Sequence, residues 1–263
     1  GAVTATGVMA NAPVLDQQLD WLKSCPDLDT GVHLNLTWGT PLSRAMRDRL
    51  RRSGGRFLSK ERMCSAILRR VVTIAEVGAE WQSQIEKCLA AGLKPTFLNS
   101  HEHIHMLPPL FSLIHDLAAR YGIAHVRYPV GEVPRRWTIG AVARNLIIHC
   151  LGRLCRSRRR GTGIPCLGVG ESGRLSLDYL RRIVPALEGG RVYEMMCHPG
   201  YYAAEEITDR RLLSYHAWEE ELAVLTSEET ADLLARHGVR RVSYRELPLL
   251  DGRLGASGAK APT

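Results

Sequence analysis

The chain has 263 residues, 45% of them hydrophobic and 24% charged, and a formal net charge of +8. That length and composition bury a substantial core without help from a partner, and no apolar run reaches the roughly 20 residues that a membrane-spanning helix needs. Seven cysteines, at 25, 64, 88, 150, 155, 166 and 197, are odd in number, scattered and free of any C-x-x-C pair, which excludes a disulfide framework and a zinc ribbon. The opening "GAVTATGVMANAP" lacks the basic start and cleavage pattern of a signal peptide, so a cytoplasmic protein is expected.

Strand-like and helix-like runs alternate from end to end. "AVTATGVMAN" is β-branched and apolar, and "VLDQQLDWLKS" carries Val14, Leu15, Leu19 and Leu22 at helical spacing. "TGVHLNLT" alternates with period two, with His33, Asn35 and Thr37 on one face and Val32, Leu34 and Leu36 on the other. A turn at "SGGRF" leads to two helical stretches, "KERMCSAILRRVV" and "AEVGAEWQSQIEKCLAAG", the second stopped by Gly92. "KPTFLNS" reads as strand, "PLFSLIHDLAARYG" as a helix opened by proline and closed by Gly122, and "AHVRYP" as strand. "LSLDYLRRIVPALEGG" is helical, "RVYEMMCHPG" a strand, "SEETADLLARHG" helical and "VRRVSYREL" a closing strand. Such alternation predicts an α/β fold on a parallel sheet, open or closed into a barrel. One domain over 1–250 is expected, with 251–263 as a disordered tail.

Much of the positive charge is local. Arg153, Arg156, Arg158, Arg159 and Arg160 crowd into "RLCRSRRRG" after the apolar-rich "GAVARNLIIHCLG", a pattern open to two readings: a basic amphipathic helix at an anionic lipid surface, or a solvated helix end. No aromatic residues interleave with the arginines to stack bases, so no nucleic-acid partner is expected.

The histidines have a different distribution. His33 lies on one strand, His101 directly follows another, and His198 ends a third; in parallel α/β folds the C-terminal strand ends are where active sites are built. In "NSHEHIHMLPP" an extended chain would put His101, His103 and His105 on one side, with Pro108 and Pro109 ending the segment and starting the next helix. Such imidazoles suit a divalent metal or an anionic substrate group. A hydrophilic loop with incidental histidines fits the same stretch.

"GVHLNLT", "PTFLNSHEHIHMLP", "GVGESGRLSLDYL" and "YEMMCHPG" come in the order and at the rough separation of the YdjC-like carbohydrate deacetylases, and over nearly the whole chain the sequence resembles that family. The resemblance implies a (β/α) barrel-like, deformed TIM-type domain and a hydrolase that uses a divalent metal, Mg²⁺ or Zn²⁺, to remove acetyl from an N-acetylated sugar. It makes His33 and His101 metal ligands and His198 the acid that protonates the leaving amine. His103 and His105 fall near the family's site as substrate contacts, and Arg127 of "HVRYP" beside its pocket. Asn99 resembles the hopanoid-type members, which points to a lipid-linked glycolipid as one form of the substrate and to contact with a membrane surface.

One departure is plain. Family members open on a strand ending in Asn-Ala-Asp-Asp-Phe-Gly, whose aspartates supply the third metal ligand and a base; this sequence begins at the strand after it. Asp27 and Asp29 do not substitute, since they precede the strand of His33. The expectations are a barrel lacking its first strand, weak metal binding, slow or absent turnover and a homodimer through the gap. Competing readings are a non-catalytic sugar- or lipid-binding protein and another metal hydrolase on a similar barrel.

Overall fold

Parallel strands and helices alternate along the chain, and the order sets which strand ends face the site. The computed structural model describes residues 1–132, 139–156, 163–204 and 210–247. In chain order the elements are β1 (Ala5–Val8), α1 (Leu15–Lys23), β2 (Asp29–Leu34), α2 (Arg44–Arg49), α3 (Lys60–Leu68), α4 (Ile74–Ala90), β3 (Phe97–Ser100) and α5 (Pro108–Arg120). They continue with β4 (His125–Val126), β5 (Tyr128–Pro129), α6 (Ile139–Cys155), β6 (Pro165–Leu167), α7 (Leu177–Ile183), β7 (Glu194–Met195), α8 (Arg210–Tyr215), α9 (Trp218–Thr226) and α10 (Glu228–Arg236). The expected tail 251–263 and Arg158, Arg159 and Arg160 of the basic run lie outside the described residues.

The strands form two parallel arcs, β1-β2-β3-β4 and β5-β6-β7. Arg127 alone separates β4 from β5, and its N–H still donates to Leu98 of β3 at 2.9 Å. The run "AHVRYP" is thus broken at its arginine, and the chain steps there from one arc to the other. The result is the expected deformed, barrel-like α/β arrangement.

Helix α4 shows how sequence becomes packing. Thr73 and Glu76 form a reciprocal capping box that fixes its start, and Val77, Trp81, Ile85 and Cys88 fall on one buried stripe. That stripe meets Leu34 and Leu98 in the main core, where each fully buried aliphatic side chain stabilises the fold by about 1.5–3 kcal/mol. The same helix buries polar groups with partners. Gln84 exchanges two 2.8 Å hydrogen bonds with the backbone of Asn35, and the Glu80 carboxylate accepts the N–H groups of Leu42 and Ser43 at 3.0 and 2.7 Å. The loop leaving β2 is therefore clamped to α4 just beyond His33.

The opposite end of the sheet is closed by the C-terminal segment. Arg245 pairs through its guanidinium with buried Asp29 and donates its N–H to the same carboxylate at 3.0 Å. Tyr244 stacks on Phe97 at 4.7 Å. Here the expected closing strand "VRRVSYREL" is corrected: residues Tyr244–Glu246 form a 3₁₀ turn. Ser243 and Glu246 make a second capping box, and the hold of Asp29 on Arg245 draws the segment under the sheet instead of alongside it. Asp29, expected to precede the strand, is the first residue of β2, at the end away from His33.

Candidate functional site

The register of β2 against β3 sets Asn99 beside His33, and His33 Nδ1 meets the Asn99 amide at 2.7 Å. One orientation of that amide satisfies both neighbours: its nitrogen donates to His33 Nδ1, and its oxygen accepts from the two terminal nitrogens of Arg127 at 3.1 and 3.2 Å. With Nδ1 accepting, the neutral His33 ring carries its proton on Nε2. Arg127 is held in turn by Glu194 of β7, with Nε at 2.7 Å and Nη2 at 2.5 Å from one carboxylate oxygen, and both side chains are only 12% exposed. Gly7 of β1 leaves the room for this row: a Cβ there would stand 3.2 Å from His33 Cβ and 3.3 Å from the Asn99 amide.

His101 follows β3 directly, and its ring meets that of His33 edge to face at 5.6 Å. Beyond it the chain is not extended. Residues His101–Met106 form a tight 3₁₀ turn in which Glu102 and His103 adopt left-handed backbone angles, φ 53° and 54°, a conformation costing roughly 1–2 kcal/mol for a residue with a Cβ. The expected alternation of the three histidines is corrected by this turn, and Ser100 is its cause. The Ser100 hydroxyl accepts the N–H of His105 at 3.0 Å and bonds its Nδ1 at 2.6 Å, while His105 Nε2 reaches the carbonyl of Arg127 at 3.1 Å. His105 is thereby buried as a tie between β3 and the β4–β5 step. Among the described residues, the buried Nδ1 of His103 has no hydrogen-bond partner.

His198 lies just past β7, its N–H taken by the carboxylate of Glu221 from α9, which also accepts the N–H of Leu175 at 3.0 Å. Its ring lies 4.8 Å from that of His216, and Nδ1 of each is buried with no hydrogen-bond partner among the described residues.

Burial lowers the pKa of every imidazole here. Burial acts first on His33, followed by the charges of His101 and Arg127; His103 is pushed well down by burial and then Arg127. His101 is lowered by burial. Burial with His216, Arg127 and His101 brings His198 to about 4, and burial brings His105 to about 3. Arg127 goes the other way, since Glu194 outweighs the burial that opposes its charge. At neutral pH the site therefore holds neutral imidazoles around one compensated guanidinium. Such a site accommodates new negative charge better than new positive charge.

The donor set can be set against the expected divalent ion. Among the described residues no group of three or more His, Cys, Asp or Glu side chains is placed to hold a metal. His33 and His101 are fewer than the three protein ligands of a catalytic zinc site, and the Asn99 hydrogen bond leaves N–H, not a lone pair, on the far nitrogen of His33. On these residues the ion does not fit, and no step below is routed through one.

The structure thus brings together His33, His101, His103, His198 and Arg127, and turns His105 inward. Sequence reasoning passed over Glu194, Ser100, Glu221 and His216. Glu194 was within reach, since it stands two pairs of residues before His198 on the same alternating strand. His216 and Glu221 had no spacing signal, because loop closure alone brings them to β7.

A parallel, barrel-like α/β fold with histidines gathered past the C-terminal ends of its strands defines a protein whose site lies on that rim. Comparison narrows this: the family model described as YdjC-like protein matches residues 1–236, and the chain belongs to that family. It is 27% identical over 246 residues to a carbohydrate deacetylase of Geobacillus stearothermophilus, covering 94% of this chain and 87% of that protein. It is 29% identical over 249 residues to carbohydrate deacetylase 1 of Listeria innocua, covering 94% and 89%. A solved structure from Enterococcus faecalis, provisionally described as a cellobiose-phosphate cleavage protein, matches with TM-score 0.68 at 22% identity over 94% of this chain and 88% of that one. That likeness shows the fold. No helix among the described residues is long and apolar enough to cross a membrane.

Proposed function

We propose that the protein hydrolyses the acetamido group of an N-acetylated carbohydrate, releasing acetate and a free amino sugar. The observation that carries this reading is that His33, His103 and His198 all lie within the field of Arg127 at one rim, in a chain whose relatives are named carbohydrate deacetylases.

An amide resists hydrolysis because its carbonyl is resonance-stabilised and its amine leaves poorly. The Nε2–H of His33 is a fixed donor for the oxyanion that forms when water attacks the acetyl carbon, and Arg127 supplies positive potential from a buried position. Neutral His198 takes the proton that water loses as the C–O bond forms, then gives it to the sugar nitrogen as the C–N bond breaks. Its low pKa in the resting site leaves the ring neutral and so free to accept that proton. The oxyanion, by offsetting Arg127, raises the ring's proton affinity as it takes the proton, and collapse of the oxyanion withdraws that support as the proton passes to nitrogen. His101 lines the same face beside His33.

Acetate release from N-acetylglucosamine oligomers tests the proposal. His198→Ala should lower the rate by about 10²- to 10⁴-fold with sugar binding retained, and an unchanged rate overturns the assignment. Paired assays with and without chelator decide whether an added divalent ion takes part.

A lipid-linked substrate is a second form of the same reading, favoured by one surface. On α6, Leu146, Ile147 and Leu154 are 61%, 58% and 58% exposed, in a helix that ends at Arg153 and Arg156. That combination suits an anionic bilayer surface. Co-flotation with anionic but not neutral vesicles is the expected result, lost in Leu146→Glu.

A further inference from the structure

Past His198 the chain builds a feature that the hydrolytic steps do not use. The ring of His216 is nearly parallel to that of Trp218, 15° between planes and 5.3 Å between centroids. Trp218 is in turn nearly parallel to Tyr202, at 12° and 6.4 Å. Those separations exceed face-to-face cover, so each ring is offset from the next and leaves part of its face open. The ribbon starts 4.8 Å from His198 and runs outward to Tyr202, which is 48% exposed, beside Tyr201 at 79%.

The rings are held by backbone ties and not by core packing. Gly200 donates its N–H to the carbonyl of Trp218 at 3.2 Å, Ala217 to that of Gly173 at 2.7 Å, and Tyr202 to the Glu219 carboxylate at 3.2 Å. The loop that carries His198 is therefore tied directly to the start of α9. A row of flat rings that runs from half-buried His216 and Trp218 to exposed Tyr202 and Tyr201, fixed to the loop of His198, is costly to leave in water unless something covers it.

We propose that Tyr202, Trp218 and His216 form a carbohydrate subsite that takes the sugar unit adjoining the one presented to His198. A pyranose offers a face of C–H bonds and a rim of hydroxyls. The electron-rich face of an indole or phenol attracts the first while solvent or polar groups keep the second satisfied. The near-parallel planes, with centroids 5.3 and 6.4 Å apart, are on the scale of the advance of successive rings along an extended oligosaccharide. This inference rests on the deacetylase reading for the identity of the sugar, but not for its binding.

Calorimetric titration with N-acetylglucosamine and its dimer, trimer and tetramer tests it. For the wild type, affinity should climb from monomer to trimer. Trp218→Leu and Tyr202→Ala should each lower trimer affinity about tenfold and leave the monomer unchanged, while Trp218→Phe, which keeps an aromatic face, should retain most of it. Tyr202→Ala removes a half-exposed ring and serves if Trp218→Leu fails to fold. Wild-type trimer affinity in both variants, or equal losses for monomer and trimer, overturns the subsite. Length-dependent binding without acetate release keeps the subsite and removes the deacetylase reading. Acetate release with no length dependence does the reverse.

Discussion

Arg127 and Glu194 form an ion pair that joins the two strand arcs, and the same guanidinium fixes the Asn99 amide against His33. One buried charge thus ties the fold to the state of a site histidine.

Breaking that pair from one side leaves the other charge buried. Arg127→Leu or Glu194→Leu should each cost about 3–5 kcal/mol, and the double variant less than the sum of the two, because the orphaned charge is gone. Urea melts of the three variants measure this. Additive losses would mean that the two residues act apart.

Replacing the amide reverses the direction of the His33 hydrogen bond. In Asn99→Asp a carboxylate accepts from Nδ1–H, the proton leaves Nε2, and the ring gains an outward lone pair in the carboxylate–histidine arrangement found around zinc. Zn²⁺ affinity by calorimetry should rise about 10- to 100-fold. No rise would show that Asn99 does not set the tautomer.

Gly173 has φ +77°, and a Cβ on it would stand 2.7 Å from His216 Nδ1 and 2.9 Å from the carbonyl of Tyr215. Gly173→Ala should destabilise by about 1–3 kcal/mol and shift His216 from His198. Thermal melting gives the first effect; the second is read as weaker binding of the N-acetylglucosamine trimer with the core melt otherwise cooperative.

Glu76 carries a pH dependence remote from the site. Burial opposes its charge, but the Thr73 N–H and hydroxyl and the Arg49 guanidinium, 2.8 Å away, win, and its carboxyl lies below the ordinary 4.5. A depressed carboxylate stabilises the fold fully above the unfolded value and loses that contribution as pH falls through the folded one. The stability gap between wild type and Glu76→Gln should be flat, at about 1 kcal/mol or less, above pH 4.5 and shrink in more acid buffer. A gap that widens on acidification overturns the assignment.

The legible parts of this protein are those that short-range chemistry dictates. Period-two and helical spacing located β2, α4 and α5, and strand ends located His33, His101 and His198. The turn at His101–Met106 escaped because two left-handed residues without glycine carry no pattern; their cause is a single serine hydroxyl. Tyr244–Glu246 escaped because β-branched spacing gave way to a carboxylate 216 residues away. His216 joined the rim through loop closure; α2 and α8, six residues each, are too short for their periodicity to stand out, and α9 went unforeseen.

The four-stranded arc ends at β1, whose outer side borders a cleft of about 210 Å³ lined by Thr6, Val8, Ala12, Leu15 and Trp21, with Trp21 58% exposed. A ladder with a vacant rung beside an oily wall recruits any extended chain that drifts past. Thr6→Lys, which places a charge at this margin, is therefore expected to slow self-association at high concentration.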